Sequence, residues 1–369
     1  MKIALIINSA PPFPVSGSEQ QGMTMAACLA ARGHRVTLFA RRYGGAPVVD
    51  PMDGYTLIRV PFLDMGPLRF PSHCWNFDRL FARHGADADV ILAYQTFAPG
   101  YLGARAARRH RIPCVLWIRS TMGFMLSHSP RLTWAMRQSL PHIDHLLFQS
   151  ERLMAPFLTE VRHSLGDRLA DRAAARMSVG RNAVAMRATE PSPGNELLVV
   201  GRLIELKDLP TLFRALRRMK TPPPTRLVGD GPILAALQSE AAGLPVTFAG
   251  RMAPDQLPGE YRRARVLAMT STTEGMPNVI LEAMASGVPV VSTPVGSIPD
   301  VVKPGETGYL FPVADDEALA GHLTRLFSDD PLRDRLARGA LNQAGQFSWE
   351  RVTDGVEEVL GRVGMAPVG

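Results

Sequence analysis

Cysteine is scarce in this chain of 369 residues: three are present, Cys28, Cys74 and Cys114. Three widely spaced thiols give neither a disulfide framework nor a cysteine metal site, and reduced thiols in a cytoplasm are the simplest account. Long hydrophobic runs are missing too, since none reaches the roughly 18 residues needed to cross a bilayer. The opening stretch, Lys2 followed by Ile3 to Ile7, is too short for a signal-peptide core and reads as a buried first strand. The expected location is therefore cytoplasmic. No His, Cys and carboxylate cluster has metal-ligand spacing, so no metal is expected. The loop from Asn8 to Gly22 lacks a compact G-x-G-x-x-G, and no ribose-binding acid stands near Arg41 and Arg42. Those two absences disfavour a nicotinamide dehydrogenase. Nucleic acid is not an expected partner, because no recognised binding module occurs.

What is present is a chain long enough for two domains, 46% apolar and 20% charged. The net charge of +7 is shared unevenly. Residues 1–190 carry 23 Lys and Arg against 13 Asp and Glu, while residues 191–369 carry 18 against 21. A basic half beside a mildly acidic one points to an anionic partner; by charge alone a membrane surface, an anionic lipid acceptor or a nucleic acid would each serve. Arg105, Arg108, Arg109 and Arg111, with Arg131 and Arg137 beside Trp134, are the residues for such an anionic membrane surface; a merely solvated positive face explains them as well.

Strands alternate with helices along both halves, which implies parallel sheets with ligands at the carboxyl ends of the strands. In the first half, strands are expected at 3–7, 35–40, 90–94, 114–118 and 145–149, with a helix from about Glu19 to Arg32 ending at Gly33. A second block starts near 196–200 and continues with strands near 226–228, 246–249, 266–269, 288–292 and 309–312. Thr189 to Asn195, with two prolines and Gly194, reads as the linker. The expected domains are 1–190 and 191–348, with an amphipathic helix from about 349 that packs back on one of them.

The most informative segment is Glu274 to Gly287, E-G-M-P-N-V-I-L-E-A-M-A-S-G. Asn278 suits a helix start, Ile280, Leu281, Ala283 and Met284 supply packing, and Gly287 suits the end. Glu274 precedes that helix and Glu282 lies one turn inside it. The first N–H groups of a helix lack internal partners, so they cradle phosphate, with a carboxylate on either side for hydroxyls. Phosphate and hydroxyls together describe a nucleotide-sugar. Further pieces fall at the carboxyl ends of second-block strands. Gly201-Arg202-Leu203 with Lys207 offers two cations for a diphosphate. Gly229-Asp230-Gly231-Pro232 is a tight turn allowing close backbone approach. Gly250-Arg251 stands where a base can rest, and Gly296 to Pro299 reads as a structural turn.

In this order, the pieces resemble the retaining glycosyltransferase family 4 (glycosyl transferases group 1). The matching residues are Val200 to Leu203 with Lys207, Gly229 to Pro232, Glu274 to Gly287, Pro289 to Thr293, Ile298 to Val302 and Gly305 to Gly308. Gly17-Ser18-Glu19 resembles the family's glycine-containing loop. The resemblance implies an α/β chain of the GT-B fold, with two Rossmann-like doubly wound parallel-sheet domains facing across a cleft. It implies that Arg202 and Lys207 neutralise the donor diphosphate in place of a metal and stabilise charge on the leaving phosphate. Glu274 would hold the transferred sugar and Glu282 the ribose. Gly17, Gly201, Gly229, Arg251, Gly275, Met276, Pro277, Asn278 and Val279 would complete the donor site. It implies no cofactor beyond the nucleotide diphosphate-sugar substrate. The acceptor would belong to the cell envelope, an exopolysaccharide, a lipid-linked glycan or a small molecule, reached in the cytoplasm or at the inner face of the membrane.

Three departures stand out. Asp208 follows Lys207 where many members have glycine, and it is expected to cap the next helix. Arg181-Asn182-Ala183-Val184 replaces a more usual Pro-Asn-Gly-Val. Trp117-Ile118-Arg119-Ser120 places Arg119 where many members carry a histidine that meets the sugar. Arg119 then binds an acidic sugar or a phosphorylated acceptor, or forms a structural ion pair. Asp87-Ala88-Asp89 has the pattern of metal-dependent sugar transferases but precedes its strand, so it reads as a helix-to-strand turn. The alternatives are a sugar-nucleotide epimerase of the same fold and a non-catalytic sugar-nucleotide-binding subunit.

Overall fold

A computed structural model describes residues 1–13, 17–119 and 125–365. Pro14 of the first loop, Ser120 and the last four residues of the expected C-terminal segment lie outside them. The chain divides into two units, residues 1–182 with the helix Trp349–Gly364, and residues 183–348. The division precedes the linker read at Thr189 to Asn195 because residues 183–188 are tied to the second unit. Val184 N–H donates to Phe347 at 2.7 Å, and Arg187 and Ala188 both donate to the Ala285 carbonyl at 3.1 Å.

The first unit is built on a sheet of order β3-β4-β2-β1-β5-β6-β7-β8. Its strands are β1 Lys2–Ser9, β2 Arg35–Arg41, β3 Val49–Pro51, β4 Thr56–Val60, β5 Val90–Tyr94, β6 Cys114–Ile118, β7 His145–Phe148 and β8 Met177–Val179. All neighbours are parallel except β3 with β4. Every residue of β5 and β6 is buried, as expected of strands covered on both faces. The edge pair β3 and β4 was not legible in the sequence.

The helix Trp349–Gly364 buries Val352, Val356, Val359, Leu360 and Val363, which share one face at helical spacing. It packs against the first helix, Gly17–Ala31. Glu357 accepts from Arg32 at 2.8 Å and pairs with His34 at 2.8 Å beside that contact.

The second unit has strands β9 Glu196–Val200, β10 Thr225–Val228, β11 Val246–Gly250, β12 Ala264–Met269, β13 Val290–Ser292 and β14 Gly308–Leu310. All are parallel, in the order β11-β10-β9-β12-β13-β14. Counted from β9 this is the doubly wound order 3-2-1-4-5-6. The strand order reverses between β9 and β12, where Leu198 sits opposite Leu267. Successive crossovers leave there on opposite faces of the sheet, so their loops part and open a crevice at the carboxyl ends. The fold thus fixes where a ligand site of this unit belongs: in the loops after Val200 and Met269.

Candidate active site

The loop after β9 is built against the loop after β10. Gly201 N–H donates to Val228 at 3.0 Å and Leu203 N–H to Asp230 at 2.9 Å. A Cβ on Gly229 would stand 1.8 Å from the Gly201 carbonyl oxygen, and Gly229 has φ +148. One on Gly231 would stand 2.0 Å from the Leu203 oxygen. The close approach foreseen for these glycines is therefore an approach of the two loops. Gly229→Ala is expected to cost about 2–4 kcal/mol, through strain and displaced backbone. Denaturant unfolding measures it, and a loss under ~0.5 kcal/mol would show that the loops can part freely.

A single turn of 3-10 helix, Glu205–Lys207, then brings Lys207 back toward the sheet. Asp208, next in the chain, departs from the capping expected of it. It lies in the left-handed region (φ 41, ψ 49), and its side chain makes no capping bond to the helix backbone. Its carboxylate instead accepts from the Thr211 hydroxyl at 2.6 Å. Left-handed geometry explains glycine as the common residue there, and Asp is among the few others that tolerate it.

Lys207 meets Glu274 across the switch point. Lys207 Nζ lies 2.5 Å from Glu274 Oε1, which also accepts from Ser271 Oγ at 2.8 Å. Glu274 Oε2 has no partner among the described residues. The loop behind is pinned twice: Thr270 Oγ1 donates to the Lys207 carbonyl at 2.6 Å, and Thr272 N–H to that of Leu206 at 2.9 Å. Gly201, Arg202, Lys207 and Ser271 line one small hollow there. Arg202 is exposed and has no ion pair among the described residues. The pair is thus one committed and one unengaged cation.

The turn at Gly296 proves structural, as read, and it shapes this site from behind. Its φ is +58, and a Cβ there would lie 2.3 Å from the Glu274 carbonyl oxygen. Ser297 N–H donates to the Gly275 carbonyl at 2.8 Å.

The helix Asn278–Ala285 buries Ile280, Leu281, Ala283 and Met284 completely, and Met276 just before it joins the same core. Glu282 faces another way. Its Oε2 accepts from the Tyr261 hydroxyl at 2.7 Å, with Arg187 contributing attraction. Burial raises the Glu282 carboxyl above its ordinary value; the Tyr261 hydrogen bond and Arg187 oppose that rise. Burial likewise holds the Tyr261 phenol well above its usual value, so it remains a donor. Because folding raises this carboxyl, its deprotonation costs stability as pH climbs from the unfolded to the folded pKa. If the ribose binds the carboxylate, nucleotide affinity must move oppositely and fall as pH drops through the raised value. Tyr261→Phe removes a stabiliser of the carboxylate, so the acid limb of nucleotide binding is expected at higher pH. Calorimetric titrations of a nucleoside diphosphate across the acid range measure that limb; coincident limbs for the two proteins would sink the assignment.

Arg251 is exposed after Gly250, whose carbonyl accepts from Gly229 N–H at 2.8 Å. Pro277, Asn278 and Val279 open the helix beside Gly275. Gly17 and Arg119 belong to the first unit. Gly17 is exposed at the start of its helix. Arg119 follows β6 and is buried, its guanidinium 4.8 Å from the Trp117 ring and 5.1 Å from that of Tyr94. Its Nε and Nη1 have no partner among the described residues, so the ion pair considered for it is not seen there. Burial lowers this guanidinium to about 10, with Tyr94 and Glu19 opposing, so it keeps its charge at neutral pH.

Asp87 and Asp89 act as a structural turn. Asp87 pairs with Lys2 and Arg35, and Asp89 accepts from the Lys2 backbone at 2.7 Å. In the basic run, Arg105 and Arg109 both bind Asp78, at 2.7 and 3.0 Å. Ser271, Tyr261 and Arg187 were missed. Ser271 stands three residues before Glu274, a spacing that signals a side-chain partner. Tyr261 sits in a charged helix segment and carries no signal of its own.

The described geometry defines a two-unit α/β chain with a cationic crevice at a topological switch point. Known proteins place it further. Glycosyl transferases group 1 matches residues 194–329 and the Glycosyl transferase 4-like domain matches residues 16–163, together well over half of the chain. The chain belongs to this glycosyltransferase family. A D-inositol 3-phosphate glycosyltransferase of Salinispora arenicola is 35% identical over 53% of this chain and 45% of its own. The sulfoquinovosyl transferase SQD2 of Arabidopsis thaliana is 32% identical over 46% of this chain and 34% of its own. These matches span under half of the relatives' lengths. A D-inositol 3-phosphate glycosyltransferase of Nocardioides matches more fully, 28% identical over 95% of this chain and 87% of its own. Among solved structures, a sucrose-phosphate synthase from Thermosynechococcus elongatus superposes with TM-score 0.80 at 21% identity, over 98% of both chains. Anabaena HepE in complex with UDP and glucose gives 0.78 at 20%, covering 98% of this chain and all of its own. These two share the GT-B fold with this chain.

Proposed function

We propose that this protein is a retaining, metal-independent glycosyltransferase that moves a sugar from a nucleoside diphosphate to a cell-envelope, exopolysaccharide, lipid-linked or small-molecule acceptor. The observation that carries the reading is the convergence of Arg202, Lys207, Ser271 and Glu274 at the switch point of the second sheet. Two cations there supply the charge that a diphosphate leaving group needs. The unpartnered Oε2 of Glu274 is left to accept from a sugar hydroxyl, and Glu282 from the ribose. The UDP that HepE holds on the same fold is consistent with such a donor. A thermal-shift panel of nucleoside diphosphates, followed by transfer assays with and without a chelator, tests this. Stabilisation by a diphosphate with chelator-resistant transfer is expected; transfer abolished by the chelator and restored by a divalent ion would overturn metal independence.

Arg119 is assigned to an anionic group on the sugar or acceptor, because it is a buried cation with two nitrogens, Nε and Nη1, unpartnered among the described residues. Arg119→Gln is expected to weaken productive binding of that substrate roughly 10–100-fold, the loss of a charge-assisted contact. Unchanged KM and kcat in the variant would remove Arg119 from the site.

A further inference from the structure

A second hollow, of about 740 Å3, opens within the first unit, and none of the cations just described lines it. Arg41 ends β2, Phe62 follows β4 and Phe97 follows β5, so the hollow lies at the carboxyl ends of these strands, where parallel sheets bind ligands. Its volume is that of a small-molecule site. The lining is aromatic. Phe70 stacks on Phe97 with centroids 5.6 Å apart, and Phe62 meets the edge of His73 at 6.0 Å. Trp134, which also lines it, is 47% exposed and Phe97 38%. The adjoining segment adds exposed Leu63, Met65 and Leu68, a concentration of apolar surface that ordinary scatter does not explain.

Charge on the same walls has one sign. Arg41, Arg69 and Arg131 line the hollow, and among the described residues no carboxylate does. Arg41 and Arg131 have no ion pair among the described residues, while Arg69 has an exposed contact with Asp64 at 3.4 Å and lies over the Phe62 ring at 5.2 Å. His73, 4% exposed, also lines it, and its Nδ1 has no partner among the described residues. Burial and then Arg41 push the imidazole down to about 4, so the positive charge here is carried by the arginines.

We propose that this hollow binds a single anionic amphiphile, with its hydrocarbon chain on the Phe62, Phe70, Phe97 and Trp134 surface and its phosphate-like head among Arg41, Arg69 and Arg131. A base or sugar ring stacks on one aromatic face but leaves the rest of this apolar surface, with Leu63, Met65 and Leu68, uncovered, and a neutral lipid would leave cations beside an apolar surface without an anion. As an acceptor class, the assignment rests on the transferase reading above; as a binding site, it stands without it.

The test is calorimetric titration of the full chain with dodecyl phosphate, butyl phosphate and an octaethylene glycol dodecyl ether, all below their micelle concentrations. Anionic phospholipid vesicles form a fourth arm. Dodecyl phosphate is expected to bind well over tenfold tighter than butyl phosphate, since each buried methylene contributes about fourfold. It should also exceed the neutral ether at least about tenfold, an advantage that the Arg41→Glu, Arg131→Glu double variant erases. Trp134→Ala should weaken both dodecyl probes alike. The thermal midpoint of each variant, and its binding of a nucleoside diphosphate, check that the fold is intact. Equal affinity for the charged and neutral probes, or vesicle binding without monomer binding, would overturn the proposal. If amphiphile binding holds while no nucleotide binds and no sugar is transferred, the site survives and the transferase reading fails.

Discussion

Lys207→Ala is expected to lower sugar transfer by about 10²–10³-fold, the loss typical of removing one preorganised donor to a developing anion. The structure makes the loss larger than that of a solvated lysine. Lys207 Nζ is held by Glu274 Oε1, and its own carbonyl by Thr270, so its position is set before any donor arrives. Alanine also leaves Glu274, 15% exposed, with Ser271 as its remaining side-chain donor. That uncompensated carboxylate would then repel the diphosphate. Arg202, exposed and unengaged, can only partly replace a charge this well fixed. Two controls separate chemistry from folding. Lys207→Arg keeps the charge but not the compact ammonium, and should recover donor binding better than turnover. Glu274→Gln keeps the shape and removes the pair, so donor binding should persist while kcat falls. A Lys207→Ala protein with kcat/KM within about threefold of the parent would mean that the crevice does not handle the leaving group.

The sequence carried the parts of this protein that depend on local chemistry. Strand β9, Glu196–Val200, and strands β5 and β6 stand where short apolar runs placed them, because strands buried on both faces need uninterrupted apolar residues. The placement of Lys207 and Glu274 in the loops after β9 and β12, and the helix at Asn278, were legible for a similar reason: the strands before them give way to Gly and polar residues, and few residue types suit such loops. What stayed hidden depends on distant neighbours. Tyr261 is 21 residues from Glu282, and only the packing of its helix beside Asn278–Ala285 brings the two hydroxyl and carboxyl oxygens together. Asp208 was misread because residue type suggested a cap, while backbone conformation is decided by the return of Lys207 to the sheet. Gly296 was correctly read as a turn, yet its contact with the Glu274 carbonyl required the whole second sheet. The aromatic hollow of the first unit draws on four separate segments that only the folded sheet brings together.

Glu282→Ala is expected to weaken nucleoside diphosphate binding by roughly 10²-fold or more, as two hydrogen bonds from ribose hydroxyls to a carboxylate contribute about 1.5–3 kcal/mol each. Burial sharpens the effect. The carboxylate is shielded from water, so no solvent molecule replaces it cheaply, and the Tyr261 hydroxyl loses its acceptor as well. Glu282→Gln separates these contributions. The amide can still accept from Tyr261 through its oxygen, so the fold should be kept, while the charge that ribose hydroxyls prefer is gone. A 2′-deoxy nucleotide supplies the matching change on the ligand. If Glu282 holds the ribose, the parent should lose affinity for the deoxy compound, whereas Glu282→Ala should barely distinguish the two. The interaction energy from that cycle isolates the contact from any general loss of stability. A variant that still discriminates ribose from deoxyribose as the parent does would place the ribose elsewhere and leave Glu282 as a buried structural acid, bound to Tyr261 alone.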